Sequence, residues 1–156
     1  MSARATPSRV AAARDAGPAN GLAAELAARL RDAVLPGDTP LAGDALVAAA
    51  QFLVGAAARR APGGPAIAIE TVAGAAGQGI ENRRFMRIAV INDDMPFLVD
   101  SIAAAVAAQG LGIDRLVHPV LAVRRDAEGV LAALPQGAAA AGERRESMVS
   151  GVSMYR

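Results

Sequence analysis

A proline- and glycine-rich segment divides the chain into two parts with different hydrophobic periodicity. Pro62-Gly63-Gly64-Pro65 ends any helix before it, because proline lacks a backbone N–H and glycine disfavours helix interiors. Before this segment, large apolar residues recur every three or four positions, which is typical of helices. After it, short runs rich in Ile and Val favour strands. The division predicts an α+β fold in which helices come first and a sheet follows.

Two helices are predicted before this segment, and they form a helical hairpin over residues 20–61. Asn20 is the expected N-cap of the first helix, and Pro36-Gly37 ends it. Thr39-Pro40 starts the second helix, with Thr39 as the N-cap and Pro40 where no N–H is needed. Arg59-Arg60 falls in its last turn, where positive charge suits the helix dipole. The apolar faces, expected to be structural, contain Leu22, Leu26, Leu30 and Val34 in the first helix and Leu41, Ala45, Ala48 and Phe52 in the second.

Residues 1–19 are predicted to be a disordered tail. They contain Arg4, Arg9 and Arg14 against one acid, Asp15, with Ala, Ser and Pro between them. A transit peptide has a similar composition, but a solvated tail is the favoured interpretation, and no apolar segment of a secretory signal follows.

Composition limits the core and excludes several kinds of chemistry. Of the 156 residues, 40 are Ala, which buries little apolar area, so we expect one modest core. The chain has no Cys and no Lys, which excludes disulfides, thiolate zinc sites and lysine-based catalysis. A net charge of +1 and only four aromatic residues argue against nucleic-acid binding. No apolar stretch approaches the roughly 20 residues of a membrane span.

The second part of the chain is predicted to contain strands around one helix. Residues 66–72 form a strand, followed by a Gly- and Ala-rich loop at 73–82. Further elements are predicted, in order, as a strand at 85–91, a turn at 92–96 with Asp94 as cap, a helix at 96–109 ended by Gly110, a strand at 113–125, a hairpin turn at 126–129, a strand at 130–134, a loop at 135–145 and a strand at 146–155. This is the first part of a ferredoxin-like βαββαβ plan. A second helix and a last strand are predicted to be missing, so 66–156 is expected to be an α/β sandwich domain truncated at its C-terminus.

Three blocks of sequence resemble one enzyme family. They are Asn92-Asp93-Asp94-Met95-Pro96-Phe97-Leu98-Val99-Asp100-Ser101-Ile102, His118-Pro119-Val120-Leu121-Ala122-Val123-Arg124-Arg125-Asp126 and Arg145-Glu146-Ser147-Met148. In residues and in spacing they resemble the N-terminal region of the large bacterial NAD-specific glutamate dehydrogenases. The resemblance is specific over residues 83–150 and compatible from residue 20 onward. It implies that the second part of the chain is an ACT-like domain, the first of several ahead of the catalytic core.

The resemblance also implies a function. The family oxidatively deaminates L-glutamate to 2-oxoglutarate and ammonium in the cytoplasm, with NAD as the hydride acceptor. Its catalytic lysine and its Gly-rich dinucleotide loop lie far downstream, and nothing in this chain matches them. We therefore expect a non-catalytic regulatory or assembly segment with no catalytic, cofactor-binding or metal-binding residues of its own. The expected partners are the downstream domains of the same polypeptide, further copies in a homo-oligomer and a small amino-acid effector, but neither nucleic acid nor a membrane.

The turn between the first ACT-like strand and its helix is the candidate effector site. It consists of Asn92, Asp93, Asp94, Met95, Pro96, Phe97 and Leu98. In ACT domains this turn can contact a small effector, and free N–H groups at a helix start favour a carboxylate. A small residue usually follows the proline, whereas Phe97 stands here, and Asp93 and Asp94 would repel a carboxylate. The alternative interpretation is capping and turn chemistry, with Phe97 and Leu98 in a domain interface.

His118, Arg124 and Arg125 are candidate interface residues. His118 is expected to be packed and hydrogen-bonded, since it shares a strand face with Leu116, Val120 and Ala122. The two arginines stand at a strand end and are expected to be solvated or to contact neighbouring domains. A metal site built from Asp93, Asp94, Asp100 and His118 is disfavoured, because no second histidine is available.

Two further functions fit the same residues. One is a stand-alone ACT-type sensor that binds an amino acid, and the other is a purely structural oligomerisation module. Calorimetric titration with amino acids separates binding from a purely structural role.

Overall fold

The computed structural model describes residues 18–33, 37, 39–73 and 84–154. Its elements are α1 (Pro18–Asp32), α2 (Gly43–Ala57), β1 (Ala66–Ala73), β2 (Arg84–Asp93), α3 (Leu98–Ala108), β3 (Gly112–Val117), β4 (Val120–Arg125), β5 (Leu131–Ala133) and β6 (Arg144–Met154). The predicted α+β class is confirmed, with helices followed by an antiparallel sheet. Most of the predicted tail and nearly all of the loop predicted at 73–82 lie outside the described residues.

Strand β6 is the centre of the sheet. It pairs with β2 over most of its length, from Glu146 opposite Asp93 to Met154 opposite Phe85. On its other side it pairs with β4 near its start and with β3 near its end. Strands β1 and β5 then pair with β2 and β4. The start of β6 therefore lies between the end of β2 and β4, and the side chains of three strands meet there.

Helices lie on both faces of the sheet. Successive side chains of a strand point to opposite faces, so Ile91 and Met148 pack with α1 and α2, whereas Val90 and Val149 lie opposite α3. The core on the first face includes three leucines with no exposed surface, Leu26, Leu30 and Leu53. Burial of each contributes about 1.5–3 kcal/mol. Because the two N-terminal helices and the sheet share this cluster, each stabilises the other.

The first two helices begin at residues other than the predicted ones. Helix α1 begins at Pro18, and the predicted cap Asn20 lies inside its first turn. Proline fits there because the first N–H groups of a helix have no partner within it. Helix α2 begins at Gly43 after the N-cap Ala42, so the predicted start at Thr39-Pro40 is wrong. None of the helices in the described part of the chain is long and apolar enough to cross a membrane.

The sequence predicts Arg59-Arg60 in the last turn of α2, but this prediction is wrong, because both residues lie after the helix. The helix ends at Ala57, and Arg59 forms a bridge with Val130 at the β4–β5 turn. The Arg60 N–H donates to the Gly129 carbonyl at 3.0 Å. Pairing with this distant turn replaces the last helical hydrogen bonds, and it fixes the segment after α2 against the sheet.

The strand predicted at 113–125 is two strands, separated at His118-Pro119. Proline has no N–H to donate to a ladder, so it interrupts the pairing with β6. The Pro119 carbonyl still accepts from the Met148 N–H at 3.0 Å, which keeps β3 and β4 in line. Strand β6 also begins earlier than predicted, at Arg144, inside the loop predicted at 135–145.

The hairpin turn predicted at 126–129 is confirmed. The Gly129 N–H donates to the Asp126 carbonyl at 3.1 Å, and the Asp126 carboxylate accepts from the N–H groups of Glu128 and Val130. Asp126 therefore organises the turn with its own side chain, as Asp commonly does. The strand that follows is shorter than the predicted 130–134.

The edge of β2 is occupied by β1, which precedes the βαββ unit in sequence. The two strands pair from Ala66 opposite Ile91 to Ala73 opposite Arg84. The edge strand on this side of the sheet is therefore β1, which comes before the βαββ unit in the chain. On the α3 side of β1, Ile67 and Ile69 are exposed, and no second helix among residues 18–33, 39–73 and 84–154 covers them.

Candidate functional site

The candidate turn holds an exposed aromatic residue in an uncommon backbone conformation. Phe97 is the N-cap of α3, with φ 62° and ψ 9°, and its surface is 78% exposed. Among the non-glycine residues in the described ranges, only Phe97 has a positive φ. A bulky residue in this left-handed region costs about 1–2 kcal/mol. Neighbouring Met95 is also exposed, so the turn presents two large apolar side chains to its surroundings.

Asp94 does not cap α3, and this prediction is wrong. Its carboxylate accepts from the Ser147 hydroxyl at 3.2 Å and lies 3.3 Å from the Arg145 guanidinium. The Asp94 N–H donates to the Arg145 carbonyl, so backbone and side chain both bind β6. Contacts with a strand far away in sequence therefore replace the local capping bond. Helix α3 begins instead after Phe97.

The other two polar residues of the turn contact Arg60. The Arg60 Nη1 donates to Asp93 Oδ1 at 2.9 Å, and its Nη2 donates to Asn92 Oδ1 at 3.3 Å. The Arg60 side chain is only 2% exposed, whereas that of Asp93 is 49% exposed. The segment after α2 thus fixes the beginning of the candidate turn.

A fully buried carboxylate lies beneath this contact. Glu146 accepts from Arg60 Nη1 at 2.8 Å, and it forms a two-point ion pair with Arg125, with Nε and Nη2 at 2.9 and 2.8 Å from its two oxygens. We call Arg60, Arg125 and Glu146 the arginine network. Two-point pairs of this kind are among the strongest polar contacts in proteins. The Glu146 charge is therefore compensated although the side chain is out of contact with solvent.

The arginine network also binds the backbone of three other segments. Arg60 Nε donates to the Gly64 carbonyl at 2.6 Å, and Arg125 Nη1 donates to the carbonyls of Ala57 and Gly129 at 2.7 and 2.9 Å. The end of α2, the segment before β1 and the β4–β5 turn are joined in this way. The network is therefore a rigid support behind the candidate turn.

The contact between Arg60 and Asp93 raises the pKa of Arg60 and lowers the pKa of Asp93, so both values move further from neutrality. Burial alone lowers the pKa of Arg60, but the hydrogen bonds to Asp93 and Glu146 outweigh it, so this pKa is raised. The hydrogen bond from Arg60 lowers the pKa of Asp93, against a smaller opposing effect of burial. Arg144 adds to the lowering through its charge. Both groups are charged across the physiological range.

Acid is expected to weaken the fold through Asp93. A carboxylate with a lowered pKa contributes stability that is present above its ordinary value of 3.8 and is lost as the pH falls through the lower folded value. The free energy of unfolding should therefore decrease as the pH falls below 3.8, and Asp93→Asn should flatten this part of the profile. Urea unfolding at a series of pH values measures it. Asp100→Asn, at an exposed carboxylate on α3, is the matched control, and identical profiles for the two variants would contradict the assignment.

Relief of the strained backbone at Phe97 is expected to stabilise the chain. Asn adopts the left-handed conformation more readily than Phe, and the exposed ring contributes little packing. Phe97→Asn should raise the free energy of unfolding by about 0.5–1 kcal/mol. Met95→Asn changes an exposed residue of the same turn without a positive φ and should alter stability by less than about 0.5 kcal/mol. Urea midpoints measure both, and a destabilised Phe97 variant would show that the ring packs against the fold.

The remaining predicted residues lie in three different environments. Arg125 points inward and belongs to the arginine network, whereas Arg124 is exposed and lies 3.5 Å from Glu143. His118 is half-buried, and its Nε2 is buried without a hydrogen-bond partner among the described residues, so the expectation of a hydrogen-bonded histidine is wrong at this atom. Its role in an interface stays a prediction.

The sequence did not reveal the arginine network. Glu146 is two residues from Met148, so both side chains point to the same face of β6, and Met148 is buried. This spacing is the single local sign of a buried carboxylate. Arg60 was expected in the last turn of the second helix, and its partner Glu146 lies 86 residues away. The backbone bond from Arg60 to the β4–β5 turn and the pairing of β4 with β6 bring the two together.

One comparison with known proteins gives a match. The family described as the glutamate dehydrogenase ACT1 domain matches residues 30–151, well over half of the chain. No curated protein and no solved structure matches the chain significantly. The matched range begins in α1, ends in β6 and includes both the candidate turn and the arginine network.

Proposed function

The chain belongs to the glutamate dehydrogenase ACT1 domain family, and from this membership we propose that it is a non-catalytic regulatory or assembly segment of an NAD-dependent glutamate dehydrogenase. The proposed parent reaction converts L-glutamate, NAD and water to 2-oxoglutarate, ammonium and NADH in the cytoplasm. The observation that carries the proposal is the family match over residues 30–151. The absence of any Lys from the sequence supports a role outside the chemical step.

The proposed role is to transmit contacts between the domains or subunits of the parent enzyme. Phe97 and Met95 offer an exposed apolar surface at the start of α3, and exposed aromatic residues are frequent in protein interfaces. The arginine network holds the preceding residues, Asn92 and Asp93, in place from behind. A rigid support of this kind limits the ordering entropy lost on docking. The proposed partners are downstream domains of the same polypeptide and further copies in a homo-oligomer.

An effector at this segment acts only by preferring one state of the parent enzyme. A ligand shifts an equilibrium by its difference in affinity for the two states and by nothing else. The proposed effector is a small amino acid or a related metabolite. Regulation then requires that the candidate turn or its support differ between the two states of the parent.

Fractionation of native enzyme tests the parent assignment. Glutamate-dependent NAD reduction is followed through purification from the source cells, and the active polypeptide is digested with trypsin. The peptide 88–115, which lies between Arg87 and Arg115 cleavage sites and spans the candidate turn, should be present in the active polypeptide. The isolated 156-residue chain should reduce no NAD. Activity in the isolated chain, or active fractions without the peptide, would contradict the proposal.

A further inference from the structure

A cavity of about 180 Å³ lies on the face of the sheet that packs against α1 and α2, and residues of the arginine network line it. Its walls include Arg60, Arg125 and Arg144, with Pro62 and Val123 as apolar neighbours. It is separate from the candidate turn, because Arg144 and Glu146 point to one face of β6 whereas Arg145 and Ser147 contact Asp94 on the other. Three guanidinium groups around one small cavity are the chemistry that recognises carboxylates.

The cavity has more hydrogen-bond donors than acceptors. Arg60 and Arg125 each donate four of their five N–H groups within the fold, and one N–H on Nη2 remains in each. Both Glu146 oxygens already accept from these arginines. The Arg144 side chain makes no hydrogen bond or ion pair within the described part of the chain. The cavity therefore retains unmatched donors.

One acid at the cavity wall competes with these donors. Asp126 also lines the cavity, but its Oδ1 accepts from two N–H groups of its own turn. Its position is therefore fixed by the β4–β5 turn and not by the arginines. The other acid, Glu146, is fully paired, so a ligand carboxylate meets one partly engaged carboxylate and three guanidinium groups.

We infer that this cavity binds a small organic carboxylate with a short aliphatic body. The free donors suit the carboxylate, and Pro62 and Val123 suit an aliphatic chain better than they suit an inorganic anion. Arg144 supplies the charge that is not committed elsewhere, and Arg60 connects the cavity to the candidate turn through Asn92 and Asp93. Binding itself is independent of the parent enzyme, whereas its regulatory consequence rests on the proposed function.

Titration of the 156-residue chain tests the cavity. Succinate, 2-oxoglutarate and L-glutamate are the probes, inorganic phosphate is the comparison anion, and backbone amide shifts are followed by NMR. The amides of Gly129 and Gly142, which line the cavity, should shift on addition of a carboxylate, with dissociation constants below about 1 mM. Phosphate should bind more weakly.

Two adjacent arginines form a matched pair of variants. Arg144→Ala removes the uncommitted charge from the cavity and should weaken binding by about tenfold or more. Arg145→Ala removes the same charge from the opposite face of β6 and should change the affinity by less than about twofold. Equal losses in the two variants would indicate general charge attraction and overturn the site.

Three other outcomes also overturn the inference. They are shifts confined to the candidate turn, tighter binding of phosphate than of every carboxylate, and no binding by any probe. None of them bears on the parent assignment, which depends on native fractionation. Conversely, if native fractionation contradicts the parent assignment, the titration result remains valid as a binding property of the chain.

Discussion

Glu146→Gln is expected to lower the free energy of unfolding by about 3–5 kcal/mol. The substitution preserves the size of the side chain and removes its charge, so Arg125 loses its ion pair while its side chain stays 11% exposed. Arg60 is still more deeply buried, at 2% exposed, and keeps only the solvent-facing Asp93 as an ion-pair partner. A buried cation without its partner is much more costly than the loss of a surface pair, because water cannot compensate it.

The control for this variant is another Glu→Gln change at a strand ion pair. Glu70 lies 2.7 Å from Arg87, but its side chain is 42% exposed. Glu70→Gln should therefore cost less than about 1 kcal/mol. Urea unfolding monitored by circular dichroism measures both variants. A Glu146 variant that loses no more stability than the Glu70 variant would show that the network contributes no more than a surface pair.

Gly129→Ala is expected to lower the free energy of unfolding by about 3 kcal/mol. Gly129 has φ +81°, and a Cβ added there would overlap the carbonyl oxygen of Arg60. The neighbouring atoms are backbone atoms, so no side chain can move aside. The Gly129 carbonyl also accepts from the Arg60 N–H and from Arg125 Nη1, and any shift of the turn strains these bonds as well.

Gly137→Ala separates the overlap from the backbone conformation. Gly137 has φ +83°, nearly the same as Gly129, but an added Cβ meets no atom within 4 Å. The free energy of unfolding of this variant should decrease by about 1 kcal/mol, which is the cost of the backbone conformation alone. Thermal and urea unfolding of both variants measure the difference. Equal losses would indicate that close packing of the β4–β5 turn on the segment after α2 is unimportant for stability.

The elements of the fold were predictable where local pattern decides them. Apolar periodicity located α1, α2 and α3, and Asp126 with Gly129 marked the hairpin turn. The helix ends were not predictable in the same way. Asp94 has the residue type and position of a cap, yet its carboxylate is engaged by Ser147 and Arg145 of β6, which are distant in sequence. Competition from such contacts is absent from any local pattern.

The candidate site was only partly visible in the sequence, for a related reason. Its turn was found through a run of residues that are adjacent in the chain. Its support was not, since Arg60, Arg125 and Glu146 come from three separate segments that meet through strand register. The conformation of Phe97 was equally hidden, because Phe has no preference for the left-handed region.

The central position of β6 has a consequence for the order of events during synthesis. A chain leaves the ribosome from its N-terminus, so β2, β3 and β4 are all made before the strand that joins them. Until residues 144–154 emerge, β2 can pair only with β1, and the inner edges of β2, β3 and β4 have no partner. Unpaired edges are sites of association between chains. The nascent chain therefore passes through an aggregation-prone interval that ends only with the insertion of β6.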